Sequence, residues 1–181
     1  MKKVVTACVI LLTAFLSKKA TAQNGSSAVL NIVLHPVQTI EVGGSDNSVN
    51  LEYKTREDYS QGVSLSKENH LKIYSTGGFV VNVRTSDHNL TSTATSKSID
   101  AGDITVSAAK GAANGMEVFT SAPVQLSGSD TAFITSATGA ESKTFDITYA
   151  AKGDDKFINH FTTDQNPTVY TTEVVYSILP N

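Results

Sequence analysis

Cysteine, tryptophan and positive charge are the scarce commodities of this 181-residue chain. Its single cysteine is Cys8 and it has no tryptophan, so neither a disulfide framework nor a zinc site built on several thiolates can form within one copy. Fourteen Lys and Arg stand against 17 Asp and Glu, a formal charge of −3, which excludes the basic character that phosphate backbones demand. Charged residues make up 17% and hydrophobic residues 40%. That is too apolar for a disordered chain, and the Ala, Leu, Glu and Lys runs of a helical protein are missing. What is abundant is hydroxyl: 22 Thr and 20 Ser, 42 residues of the 181. The length suits one ordinary domain and is short for two.

Long apolar runs are equally scarce, and the one that exists lies at the start. Met1-Lys2-Lys3 is a short basic opening, Val4 to Leu16 is almost uninterrupted apolar sequence, and Ala20-Thr21-Ala22 is a small-x-small site before Gln23. This reads as a secretory signal peptide over residues 1–22, leaving 23–181 as the folded domain. The run is too short for a membrane span, which takes roughly 20 apolar residues. Val5-Thr6-Ala7-Cys8 has the form of a lipoprotein box, but no hydrophobic segment precedes it. Cleavage after Ala22 removes Cys8 with Lys2, Lys3, Lys18 and Lys19, leaving 10 basic against 17 acidic residues, a net charge of −7. The expected product is exported to the periplasm, cell surface or medium, binds no nucleic acid and does not insert in a membrane after cleavage. Without a cysteine, its fold must rest on core burial and sheet hydrogen bonds.

The remaining sequence reads as strands throughout. Ala28 to His35 is apolar and β-branched, Val37 to Val42 continues it past Pro36, and Ser48 to Tyr53 places Val49, Leu51 and Tyr53 on one face. Val63–Ser66, Leu71–Ser75, Phe79–Thr85, Ile104–Ala108, Met116–Thr120, Val124–Ser127, Ala132–Ser136, Lys143–Ala150 and Thr168–Leu179 follow. No apolar spacing of three and four persists over three turns, so no helix is expected. Gly43-Gly44-Ser45-Asp46, Ser75-Thr76-Gly77-Gly78, Asn114-Gly115, Ser127-Gly128-Ser129-Asp130 and Lys152-Gly153-Asp154-Asp155 punctuate the runs as turns. Short strands at this spacing predict an all-β fold, an antiparallel Ig-like or Greek-key β-sandwich. Thr on half-exposed pleats and Ser in turns account for the hydroxyl excess. Ser86 to Asp100 reads as a long exposed loop, and Asp154 to Pro167 as a second one pinned through Phe157, Ile158 and Phe161.

Catalytic patterns are missing. There is no Gly-x-Ser-x-Gly elbow, His-Glu-x-x-His pair, phosphate-binding glycine loop or calcium loop, and His35, His70, His88 and His160 are scattered singly. Ser and Asp are so common that any chosen Ser-His-Asp set carries no information. The expectation is a non-enzymatic protein with no catalytic residue, no metal site and no cofactor, a secreted hydrolase being the least favoured alternative.

Three small signals bear on partners. Lys152-Gly153-Asp154 resembles an integrin-binding tripeptide, although an ordinary polar turn is the plainer reading. Asp130-Thr131-Ala132 resembles an acceptor pattern for O-glycosylation of exported proteins in some Gram-negative bacteria, which makes Thr131 a candidate modification site. Tyr59, within the polar stretch Arg56–Gln61, is the candidate aromatic contact for a glycan.

The C-terminal run is the most informative. Tyr170, Thr172, Val174, Tyr176 and Ile178 share one face of an alternating strand that stops at Pro180. Such a strand either closes its own sheet or completes a neighbour's, because backbone ladder bonds give affinity without a particular sequence. Ala28–His35 offers a comparable strand at the other end. The signal peptide, the Ala28–His35 strand, the Gly43-Gly44 turn, the Gly78–Val83 strand and the terminal Tyr170–Tyr176 strand ending in Leu-Pro resemble small secreted bacterial β-sandwich proteins of the cell surface. The outline is similar to fimbrial-subunit-like and WxL-type proteins. The chain departs from them in lacking both a Trp-x-Leu motif and a cysteine pair. The resemblance implies a cell-surface structural or adhesion protein whose partners are other copies of itself or surface proteins and glycans. A glycan- or peptidoglycan-binding module of the envelope is the alternative.

Overall fold

Period-two alternation turns into burial most plainly at Phe79–Thr85: Phe79, Val81, Val83 and Thr85 are buried, while Val80, Asn82 and Arg84 are partly exposed. A computed structural model describes residues 24–44, 47–112, 119–164 and 166–181. The signal peptide, Cys8, the Ser45-Asp46 end of the first turn, Asn114-Gly115 and most of the Met116–Thr120 run lie outside the described residues.

The chain divides into two units at Leu34/His35, and the unit His35–Asn181 carries the strands. Its strands are β1 (Gln38–Val42), β2 (Val63–Ser75), β3 (Phe79–Thr85), β4 (Asn89–Thr91), β5 (Ser98–Asp100), β6 (Ile104–Lys110), β7 (Thr120–Ser121), β8 (Val124–Gln125), β9 (Thr131–Ser136), β10 (Ala140–Ala151) and β11 (Val174–Pro180). They form a five-stranded sheet, β1-β2-β10-β6-β8, and a four-stranded sheet, β11-β3-β9-β7, with β4 and β5 pairing apart. Every ladder is antiparallel. The expected all-β sandwich is the fold found.

The two inner faces meet in one core. Leu71 and Ile73 of β2, Phe145, Ile147 and Tyr149 of β10 and Val106 of β6 face Phe79, Val81 and Val83 of β3 and Phe133 and Ile134 of β9. Two successive β9 residues are buried because the β3–β9 register shifts between Val81 and Asn82, which turns consecutive side chains inward.

Four expectations need correcting. Val63–Ser66 and Leu71–Ser75 are one strand, because the polar residues between them form a bulge and not a turn. Asn69 sits there at φ 49°, and the β2–β10 register shifts beside it. Its N–H donates to Asp146 Oδ1 (2.6 Å), while its own Oδ1 accepts from the Ala112 N–H (2.9 Å) and the Thr144 hydroxyl (2.7 Å). Ser86–Asp100 is not a plain loop: Leu90 opposes Ile99 in the β4–β5 hairpin, and both pack on the core. Ser48–Tyr53 is no strand, although Val49, Leu51 and Tyr53 do share the side that packs inward. Finally there is a helix, α1 (Arg56–Gln61), opened by a capping box in which the Asp58 N–H donates to Thr55 Oγ1 (3.2 Å) and the Thr55 N–H donates to Asp58 Oδ2 (2.7 Å). The Lys54 N–H and then the Thr55 N–H, both donating to its carboxylate, hold the Asp58 carboxyl below its ordinary pKa.

Candidate functional site

β11 closes one sheet and stands at its edge. It pairs with β3 from Val174↔Thr85 to Pro180↔Phe79, and no described strand lies on its other side. The constant-type immunoglobulin arrangement places strands A-B-E-D in one sheet and C-F-G in the other. Here β1-β2-β10-β6 reproduces the first order, and β3 and β11 stand as C and F. No described strand lies beyond β11, while β9 and β7 extend the sheet past β3.

Burial records that gap. The inward residues of β3 are at most 2% exposed, whereas their neighbours Val174, Tyr176 and Ile178 pack against the core yet remain only partly buried. Tyr176 is anchored by a 2.7 Å hydrogen bond between its hydroxyl and that of Tyr149, and its ring lies 6.2 Å from that of Phe133. Burial, then the adjacent Tyr149 phenol, push the Tyr176 hydroxyl far above the usual tyrosine range. Burial also raises that of Tyr149.

The predicted strand from Thr168 is shorter than expected, since Tyr170 and Thr172 precede β11 and are not part of it. Thr171 makes one isolated bridge to Thr91. The Thr172 hydroxyl meets that of Ser86 (3.4 Å), and the Tyr170 hydroxyl donates to the His160 carbonyl (2.7 Å). Polar side-chain bonds take over from the ladder there, so only Val174, Tyr176 and Ile178 keep the shared inward face.

The other terminal segment is the larger departure. Ala28–His35 forms no strand. Val29, Leu30, Ile32, Val33 and Leu34 are 73–88% exposed. A fully apolar even face, Ala28, Leu30, Ile32 and Leu34, is therefore left uncovered, and contiguous apolar surface of this kind marks an interaction site.

Tyr59 is not an isolated platform. It lies partly buried on α1 with its ring 5.2 Å from that of Tyr53, which in turn meets Phe157 edge-on at 5.2 Å. The Tyr53 hydroxyl donates to the Lys152 carbonyl (2.6 Å), and burial, with smaller contributions from Asp103 and Asp58, pushes it up to about 12. Lys152 and Asp154 are exposed, but the Lys152-Gly153-Asp154 tripeptide is tied to its surroundings. The Lys152 ammonium is 2.9 Å from Asp103 Oδ1, the Asp154 N–H donates to the Ser60 carbonyl, and a side chain on Gly153 would meet Gly62 N at 2.5 Å. Thr131 is exposed at the start of β9. His70 is buried, and burial lowers its pKa, with the Lys67 charge adding to the effect.

Sequence reasoning missed Asp103. Its carboxylate is only 5% exposed and is shared by Lys152 and by Lys156 at 3.6 Å. Asp100–Asp103 carries no local pattern that announces it, because both lysines arrive from about fifty residues away. Among the described residues no three His, Cys, Asp or Glu side chains converge as metal ligands, and no helix is long and apolar enough to cross a membrane. No family model matches the chain, and neither does any curated protein.

Proposed function

We propose that the protein is an exported, non-enzymatic structural component of the cell surface, a fimbrial-like subunit that assembles by placing its N-terminal apolar segment along β11 of another copy. One observation carries this reading: the same chain holds an uncovered β11 edge and an unpaired apolar segment of matching length. Ala28–His35 is eight residues and β11 is seven.

The physics favours the pairing. An exposed strand edge presents unpaired N–H and C=O groups that template another strand. Added strands gain affinity from the ladder and specificity from alternate side chains. Burying Leu30, Ile32 and Leu34 would contribute roughly 5–9 kcal/mol before ordering costs.

The donor is placed in a different copy because Ala28–His35 forms no strand in its own chain and its apolar residues are exposed there. A donor at one end and an acceptor elsewhere make a heterologous contact, which extends into a filament when its rotation does not close.

Sedimentation of residues 23–181 over a range of concentrations tests the reading. It predicts a growing ladder of oligomers with increasing concentration. A monomer at every concentration overturns it.

A further inference from the structure

A second feature is independent of the β11 edge. A cleft of about 250 Å³ lies between the β4–β5 hairpin, the turn Ala101–Asp103 and the connection after β10, lined chiefly by Asn89, Ser98, Asp100, Lys156, Phe157 and His160. We propose that it is a binding site for one neutral saccharide residue.

Size and chemistry together point there. The space equals about eight water molecules at roughly 30 Å³ each, enough for a single sugar ring and too little for a large ligand. Its charges balance: Asp100 and buried Asp103 are offset by Lys156 and by Lys152, whose ammonium also sits on Asp103. A balanced lining gives no net pull on phosphate or another anion. It does offer carboxylate acceptors, an ammonium donor, an amide and a hydroxyl side by side, the mixed set that sugar hydroxyls use as both donors and acceptors.

An apolar wall completes the match. Phe157 is 8% exposed, its ring stands edge-on to His160 at 6.0 Å, and His160 in turn meets Tyr170 at 5.9 Å. The accessible margins of these rings give the cleft an apolar wall against which sugar C–H groups can rest.

His160 is only partly buried, so part of its ring is open to a ligand, although its Nδ1 is enclosed and without a hydrogen-bond partner. The cleft is linked to Tyr59, the aromatic contact suggested by the sequence, through the Tyr59–Tyr53–Phe157 ring contacts.

The test is a titration of residues 23–181 with glucose, galactose, mannose and N-acetylglucosamine in turn, and with sodium phosphate as the anionic comparison, followed by backbone amide shifts. At least one sugar should bind in the millimolar range and shift Asn89, Ile99, Phe157 and His160. The exposed-site variants Asn89→Ala and Ser98→Ala should together weaken it about tenfold with an unchanged unfolding midpoint; if the pair fails to fold, Ser98→Ala alone is read. Shifts confined to another surface, stronger binding of phosphate, or no binding of any of the four sugars at tens of millimolar overturns the proposal.

Discussion

Replacing Ile32 by aspartate separates assembly from folding. Ile32 is 80% exposed, so Ile32→Asp should leave the unfolding free energy of the monomer within about 0.5 kcal/mol of the parent. In the assembled state the same position faces the neighbour's core beside β11. The variant then forfeits the roughly 1.5–3 kcal/mol of burying the isoleucine and adds several kcal/mol for desolvating a carboxylate. A loss of at least about 4 kcal/mol per contact weakens association by about a thousandfold. Asn31→Asp, on the opposite face of the segment, should weaken it by less than about tenfold. Thermal unfolding at low concentration and sedimentation at high concentration read the two effects separately. If Ile32→Asp lowers the monomer's stability by the 2–5 kcal/mol typical of a core truncation, Ile32 is packed within its own chain and the reasoning fails. An unchanged association constant is equally damaging.

Three further outcomes follow from the body of the fold. Thr85 is fully enclosed and its hydroxyl has no hydrogen-bond partner, so Thr85→Val should be stabilising by about 1 kcal/mol in chemical denaturation, since it removes an unpaired polar group at nearly constant shape. Gly62 closes α1 at φ 85°, and a Cβ there would lie 2.4 Å from the Ala151 carbonyl, so Gly62→Ala should cost at least about 2 kcal/mol by the same measurement. Tyr53, Tyr149 and Tyr176 all hold their protons more tightly in the folded state than at the ordinary value. Their stabilisation is complete below the unfolded tyrosine value near 10 and is lost as pH rises through the folded values. The unfolding midpoint should therefore fall from about pH 10 to pH 12, and Tyr53→Phe should shallow that decline.

The sequence made the two-sheet architecture legible wherever alternation was strong. Phe79–Thr85 matches its observed strand residue for residue, and Lys143–Ala150 and Ile104–Ala108 fall inside theirs. The misreadings share a physical origin in polar residues that do more than solvate. Asn69 looks like the start of a turn, but its side chain stitches a bulge between β2, β10 and the residue after Gly111. Thr55 and Asp58 cap a helix too short for hydrophobic periodicity to register. The exposed Ala28–His35 segment has a sound strand pattern that is not used within one copy. Pattern reveals that a strand can form, and the sheet order shows which edges have no strand beside them among the described residues. The cleft around Asp103 was illegible because its acid, its lysines and its rings are brought together by tertiary contacts.

Backbone amide hydrogen exchange, compared between assembled residues 23–181 and the Ile32→Asp monomer, bears most directly on the proposal that β11 receives a neighbour's strand. The account predicts that the β11 amides facing away from β3 exchange quickly in the monomer and slowly in the assembly, with Val29–Leu34 gaining protection in step. Assemblies in which β11 and Val29–Leu34 exchange as they do in the monomer, while protection appears on another edge, would contradict it.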